Sequence, residues 1–343
     1  MNSQKKSRKR RILKAIFSAM MCAVMTTAVC FSVTGCGGGS TGSAVGEKVI
    51  IYSNADDEAV ECMEQTLNEN GYQGQYVIQS FGTSELGGKL LAEGEAIEAD
   101  VVTMSSYYIE SAQNQSHMFR ELTVDAEALQ NYPSYYMPFL ANQGTILVNT
   151  EVLADNNLAM PNSLKDLADP EYAGNLSVVD IQGSSTAWLM IQALISEYGE
   201  DGAQEILSAI YDNAGAHLEQ SGSGPIKKVR AGEAALGFGL RHQAVADKKD
   251  GLPIDYVDPA EGTFTLTESL AVVDKGENTN PLAMEMVECI IEEGRDDLMK
   301  YYPVVLYEGE TTDSVNTVES KVFQEPLTVE LLEKHRALSE NSK

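Results

Sequence analysis

Arg241 and His242 stand just beyond the apolar run AALGFG (234–239), two potential cations at the end of a strand-like segment in a strongly acidic chain. Small polar residues recur at equivalent places. Ser53 and Asn54 end KVIIYS (48–53) or follow it, Gly82, Thr83 and Ser84 follow QYVIQS (75–80), and Ser105 and Ser106 follow ADVVTM (99–104). Gly183, Ser184, Ser185 and Thr186 follow NLSVVD (175–180), and Ser221, Gly222, Ser223 and Gly224 follow AHLEQ (216–220). Hydroxyls, free backbone N–H groups and one guanidinium are the chemistry of anion capture. They are not the chemistry of turnover. The chain has no GxSxG elbow between a strand and a helix, no CxxC metal pair, and only four histidines, of which His217 and His242 fall near these clusters.

The clusters share one structural context. Short apolar runs alternate with helical patterns: KVIIYS, then DDEAVECMEQTLNENG; QYVIQS, then SELGGKLLAEGE; then ADVVTM. That is a βαβαβ order, hence a parallel sheet covered by helices. A second set comprises GTILVNT (144–150), NLSVVD, the helix TAWLMIQALISEYG, AHLEQ, a helix from Pro225, AALGFG and IDYVD (254–258). The extended run TFTLTESLAVVDK (263–275) then returns, and helical segments end the chain. The class is α/β with two lobes, the second inserted between an early crossing strand and a late returning one. Every polar cluster falls at the carboxyl end of a strand and opens a helix, the edge where open α/β sheets bind ligands. Taken singly, each Ser/Thr serves equally as an N-cap, SGSG as a turn, Arg241 as a partner for a carboxylate, and His242 as a core residue. Their coincidence on one edge carries the cleft reading.

With 343 residues and 43% apolar content the chain can fill two moderate cores. Its 24 basic against 51 acidic residues give a net charge of -27, which excludes a nucleic-acid partner and disfavours anionic lipid surfaces. QKKSRKRRILK and the apolar AIFSAMMCAVMTTAVCF (15–31) read as an export signal over residues 1–35, since the apolar stretch is short for a membrane span. VTGC, ending at Cys36, resembles a bacterial lipobox, in which the cysteine is acylated and becomes the first mature residue; the Gly/Ser tract to residue 46 suits a tether. Of the remaining cysteines, Cys62 and Cys289 lie in helical patterns, and the sequence leaves free thiols or a disulfide open.

IIYSNADDEAVE, QSFGTSELGGKLLAEG, ADVVTMSSYY, VVDIQGSSTAWL, SGSGPIKKVRAGEAALGFGLRHQAVADK and PIDYVDPAEGTFTLTES together resemble the solute-binding proteins of bacterial ABC importers. The subgroup is the one holding ferric-ion binders and 2-aminoethylphosphonate binders, and the likeness runs from residue 47 to about 310. It implies a type II periplasmic-binding-protein fold, each lobe a mostly parallel sheet flanked by helices, joined by two crossing hinge strands. Lobe 1 is expected over 47–145 plus 262–310, lobe 2 over 146–261, and a C-terminal helical segment over 311–343.

Ferric binders of this kind carry a histidine, a glutamate and a tyrosine pair at places that fall here near Asp56, Ser106, and Leu240 with Arg241. A guanidinium cannot ligate a metal but matches phosphonate or phosphate oxygens bidentately. The resemblance therefore implies no metal, no cofactor and no catalysis. It implies a binding set of Ser53, Thr83, Ser84, Ser106, Ser184, Ser185, Thr186, Ser221, Ser223, Arg241, His242 and Glu268. Glu268 is the first candidate for an ammonium at the far end of an aminophosphonate, ahead of Asp56, Tyr107 and Tyr256. The expected partners are a small anionic solute and the permease of the same importer, with the protein a lipid-anchored monomer outside the cytoplasm. Sugar phosphate, phosphate and ferric ion are the alternative solutes, and a phosphoester-processing enzyme is the alternative class.

Overall fold

The computed structural model describes residues 48–321 and 323–343. The export signal, Cys36 and the tether up to residue 47 lie outside them. One continuous sheet runs in the order β2-β1-β3-β9-β4-β7-β5-β6. Its first part holds β1 (Val49–Ser53), β2 (Tyr76–Ser80) and β3 (Val101–Ser105), all parallel. Its last part holds β5 (Leu176–Val179), β6 (Leu218–Glu219) and β7 (Leu236–Leu240), also parallel. β3, β5 and β7 are buried along their whole length, as expected of strands covered on both faces.

Two long strands join these parts. β4 (Met137–Asn149) pairs antiparallel with β9 (Thr263–Val272) up to Gln143, then with β7 from Gly144. Its last residues also pair with β8 (Ile254–Val257). β9 in turn pairs with β3 over Glu268–Val272. The polypeptide thus passes twice between the two parts, and this is a two-lobed fold with crossing hinge strands. Gly144 sits where β4 changes partners. A Cβ there would lie 2.4 Å from the Phe238 ring, so the close approach of β7 requires glycine.

Helices cover both faces. α1 (Asp57–Glu69) buries Ala59, Cys62, Met63, Thr66 and Leu67, a stripe at helical spacing, against α8 (Pro281–Tyr301). Cys62 and Cys289 are both buried and form no disulfide among the described residues. α2 (Thr83–Glu93) packs on α3 (Ser106–Ser116), and a short α4 (Thr150–Asp155), capped by Asn149, follows β4. In the other lobe α5 (Thr186–Ala214) changes direction at Gly199, whose φ of 70° no helix interior allows. α6 (Gly224–Arg230) and α7 (Arg241–Lys249) flank β7 and β8.

The segment expected to be helical from residue 311 is only partly so. β10 (Ser320–Lys321) adds to β9, and only α9 (Val329–Glu340) is a full helix. α9 lies on α5 and α3, and its Leu331, Leu332 and Leu338 join a core that runs through both lobes around Trp188. Among the described residues, no helix is long and apolar enough to cross a membrane.

Candidate functional site

The carboxyl ends of β1, β5 and β7 meet across a small cavity of about 30 Å³. One side is built by Asn54 and Asp56 from the β1–α1 loop, Thr83 at the start of α2, Asn142 of β4, Glu268 of β9 and Tyr302 after α8. The other is built by Ser184, Ser185 and Thr186 at the start of α5, Gly222 before α6, and Leu240 at the end of β7. A wider cavity of about 320 Å³ shares Asn54, Asp56, Thr83, Ser184 and Gly222 with it and adds Ser221, Ser223, Gln220, Lys227, Arg230 and Gln243. The two form an inner and an outer compartment.

Glu268 occupies the central position. In register it lies opposite Ser105 of β3 on one side and Leu140 of β4 on the other, so the carboxyl is held between the crossing strands. Ser105 Oγ donates to its Oε1 at 2.9 Å; its Oε2 is buried without a partner among the described residues. Burial raises its pKa to about 7, with the Ser105 hydroxyl and the Asn54 amide opposing the rise and the Asp56 charge adding to it. Asp56, half-buried, is raised to about 6 by burial and by Glu58 and Asp57, and Lys227 pulls it back. Burial, and then the Asp56 charge, push the Tyr302 phenol far above its ordinary value, so it stays protonated.

Four polar atoms of residues lining the inner compartment have no hydrogen-bond partner among the described residues: Asn54 Oδ1, Asn142 Oδ1, Glu268 Oε2 and Tyr302 Oη. The Asn54 amide is oriented by donating from Nδ2 to Thr83 Oγ1 at 3.2 Å. Buried polar groups are nearly always paired, so a cluster of four around one void calls for a polar guest, water or solute. Three of them are acceptors, and no Lys, Arg or His lines the compartment. Two of the helix starts around it are also unspent. The residues before α1 and α2 make no side-chain capping bond, leaving terminal N–H groups for another acceptor, whereas the first N–H groups of α5 go to Ser184 and Ser185 and that of Gly224 in α6 goes to the Ser221 carbonyl. The N–H of Thr186 meets Ser184 Oγ only at 3.3 Å.

Of the expected residues, Thr83, Ser184, Ser185, Thr186 and Glu268 line the inner compartment, and Ser221 and Ser223 the outer one. The others are placed elsewhere. Ser53 Oγ is buried between Thr103 Oγ1 at 2.7 Å and the Ala55 N–H at 3.1 Å. Ser84 Oγ donates to the Gln182 carbonyl at 2.7 Å. Ser106 Oγ meets Ser269 Oγ at 2.8 Å and the Thr267 carbonyl, facing a groove behind the hinge rather than the cleft.

The expectation for Arg241 is corrected. Its Nε and Nη2 pair with Asp258 at 2.8 and 3.0 Å, its Nη1 donates to the Val315 carbonyl at 3.0 Å, and it stacks over the Tyr256 ring. The α7 backbone aims it away from the compartments, and the fork expected for an oxyanion is filled by a carboxylate. His242 is corrected likewise. It packs on the Tyr302 ring at 4.5 Å, and burial with the nearby Arg230 charge lowers its pKa to about 3, so it is no cation.

Asn142, Tyr302 and Lys227 were missed. Asn142 lies inside a long strand and Tyr302 after a C-terminal helix, and neither carries a local signal. Lys227 was readable only as part of an ordinary basic helix end.

This arrangement, two α/β lobes closing strand-end loops over a polar void, defines a periplasmic-binding-protein fold of type II. Solved structures agree. The periplasmic binding protein P5PA superposes with a TM-score of 0.72 at 18% identity, covering 86% of this chain and 98% of that one. AfuA from Actinobacillus pleuropneumoniae, with fructose-6-phosphate bound, gives 0.70 at 19% identity, covering 86% and 97%. Residues 93–321 match the family described as bacterial extracellular solute-binding protein, and the chain belongs to it. The Fe(3+)-binding periplasmic protein of Serratia marcescens is 27% identical over 207 residues, 58% of each chain. The chain spans about half the length of the curated relatives it matches.

Proposed function

We propose that this protein is the solute-capturing component of a bacterial ABC importer, anchored outside the membrane through Cys36. Its solute is a small zwitterion joining an oxyanion to a primary ammonium, with 2-aminoethylphosphonate as the reference compound. The observation that carries this reading is the convergence of Asn54 Oδ1, Asn142 Oδ1 and Glu268 Oε2, three buried unpartnered acceptors, on one void. An ammonium brings three donors and a charge that the Glu268 carboxylate neutralises. The Thr83 and Ser184 hydroxyls, which line both compartments, and the free N–H groups at the start of α2 supply the anion's side of the site. A binding role, not catalysis, fits a cavity without a nucleophile–base pair.

A second reading is favoured by one observation. Asp56, Glu268 and Tyr302 bring hard oxygen donors to the same void, which would suit a ferric ion, and the Serratia relative binds Fe(3+) by name. Calorimetric titration separates the readings. The panel is 2-aminoethylphosphonate, ethylphosphonate, inorganic phosphate, fructose 6-phosphate and ferric citrate. The aminophosphonate should bind at least tenfold tighter than ethylphosphonate. Equal affinity for the two would remove the ammonium from the reading, and binding of ferric citrate alone, with a visible iron–phenolate band, would replace it with iron.

A further inference from the structure

We infer that Lys227, at the mouth of the outer compartment, is the counter-charge for the solute's oxyanion, and that the solute binds ammonium-first with its anionic end outward. The inference rests on the zwitterion reading and assigns its direction.

The two compartments differ in size and in charge. The inner one, about 30 Å³, is roughly a tenth the size of the outer one, so it suits the smaller ammonium end better than a tetrahedral phosphonate. Its orphaned groups are chiefly acceptors, and Glu268 is 5% exposed. The outer one, about 320 Å³, has room for the rest of the molecule and carries the cations that the inner one lacks, alongside the Asp56, Asp57 and Glu58 carboxylates that also line it. Those cations are Lys227 and Arg230. Arg230 is committed to Asp247 by two bonds, Nε to Oδ2 at 2.7 Å and Nη2 to Oδ1 at 2.9 Å. Lys227 is exposed, makes no ion pair among the described residues, and acts on Asp56 through its charge. Ser184, Ser221 and Ser223 line the same compartment. An oxyanion placed there meets an ammonium from one side and hydroxyls from the other, while its own ammonium reaches Glu268. With Arg241 taken by Asp258, Lys227 is the one cation lining either compartment among the described residues that is left to neutralise the anion.

The test titrates 2-aminoethylphosphonate into wild type, Lys227→Ala, Lys227→Arg and Lys228→Ala at low and moderate salt. Lys228 is paired with Glu233 at 2.5 Å and lines neither compartment, which makes it the charge-matched control. Lys227→Ala should weaken binding about tenfold to a hundredfold and reduce its salt dependence, because a charge-assisted contact to the anion is lost. Lys227→Arg should recover most of the affinity, and Lys228→Ala should match wild type. Direction is read with two analogues. The monomethyl phosphonate ester should still bind, since the outer compartment has room, whereas the N-trimethyl compound should not. The opposite tolerance would overturn the orientation, and wild-type affinity in Lys227→Ala would overturn the role of Lys227. Wild-type protein that binds no phosphonate at all would instead sink the zwitterion reading, and this inference with it.

Discussion

Arg241 and Asp258 face each other edge to edge, two N–H groups against two carboxylate oxygens at 2.8 and 3.0 Å. The pair ties the start of α7 to the chain after β8, and the third bond, to the Val315 carbonyl, reaches the C-terminal segment. Arg241 is therefore expected to support the fold. Replacing it with Ala leaves Asp258, a third exposed, partly compensated by water, so the loss should be about 2 kcal/mol rather than that of a fully buried pair. Thermal unfolding of the ligand-free protein should show it, and solute affinity should change less than threefold. A large affinity loss with unchanged stability would return Arg241 to the cleft.

Glu268 makes the ligand-free protein sensitive to pH. Its native pKa of about 7 exceeds the ordinary 4.5, because burial disfavours the carboxylate. The native state then holds more protons than the unfolded chain, and stability is expected to fall as pH rises from about 4.5 through 7. Asp56 acts with the same sign between 3.8 and about 6. The Glu268 effect is on the order of 3 kcal/mol when fully developed. Affinity for an ammonium-bearing solute should move the opposite way, strengthening through the same window as the carboxylate forms. Glu268→Gln should flatten the stability profile above about pH 6, raise the ligand-free melting temperature at pH 8, and weaken 2-aminoethylphosphonate binding. A stability profile in Glu268→Gln with the wild-type slope would assign the titration to another group.

Gly87 and Gly88, neighbours in α2, should respond oppositely to the same substitution. A Cβ at Gly87 would lie 2.4 Å from the Tyr108 ring, at the contact between α2 and α3, whereas one at Gly88 meets nothing within 4 Å. Gly87→Ala should destabilise by about 1–3 kcal/mol through overpacking. Gly88→Ala should stabilise by about 0.5–1 kcal/mol, the ordinary gain of alanine over glycine in a helix. Chemical denaturation of both variants checks the sign.

What the sequence made readable, and what it hid, divides along chain separation. The strand order of the first lobe and the loops carrying Thr83 and Ser184 follow from local periodicity and from Gly/Ser clusters beside it. Glu268 was readable because a charged residue interrupts an otherwise apolar and hydroxyl-bearing strand. The partner of Arg241 was not, since Asp258 is one of 51 acidic residues and only the β8 connection brings it into place. Asn142 and Tyr302 reach the void from a hinge strand and from the end of α8, positions set by the crossing of β4 and β9 rather than by any neighbouring residue. The same holds for α9, whose docking against α5 rests on contacts more than a hundred residues apart.

That docking leads to the last prediction, which concerns Arg336. α9 is fastened to the second lobe by several polar links. Trp188 Nε1 donates to His335 Nδ1 at 2.7 Å, Tyr211 Oη meets Ser339 Oγ at 2.7 Å, and Lys343 Nζ meets Asp180 Oδ2 at 2.8 Å. Burial lowers the His335 pKa, which keeps the ring neutral and able to accept from the indole. From this base Arg336 reaches the other lobe, donating from Nη2 to Ser84 Oγ at 2.5 Å beside the start of α2. Ser84 itself donates to the Gln182 carbonyl across the cleft. The lobes are thus strapped together outside the void that Thr83 and Ser184 line, and the strap needs no solute. Arg336→Ala should favour opening of the ligand-free protein, read as a larger radius of gyration in small-angle scattering. It should also speed solute release, with the melting temperature nearly unchanged, because the links of α9 to α5 remain. Arg336→Lys should recover part of the compactness by restoring one donor. If the ligand-free radius of gyration is the same in Arg336→Ala and wild type, closure does not depend on this strap, and α9 serves only to cover α5.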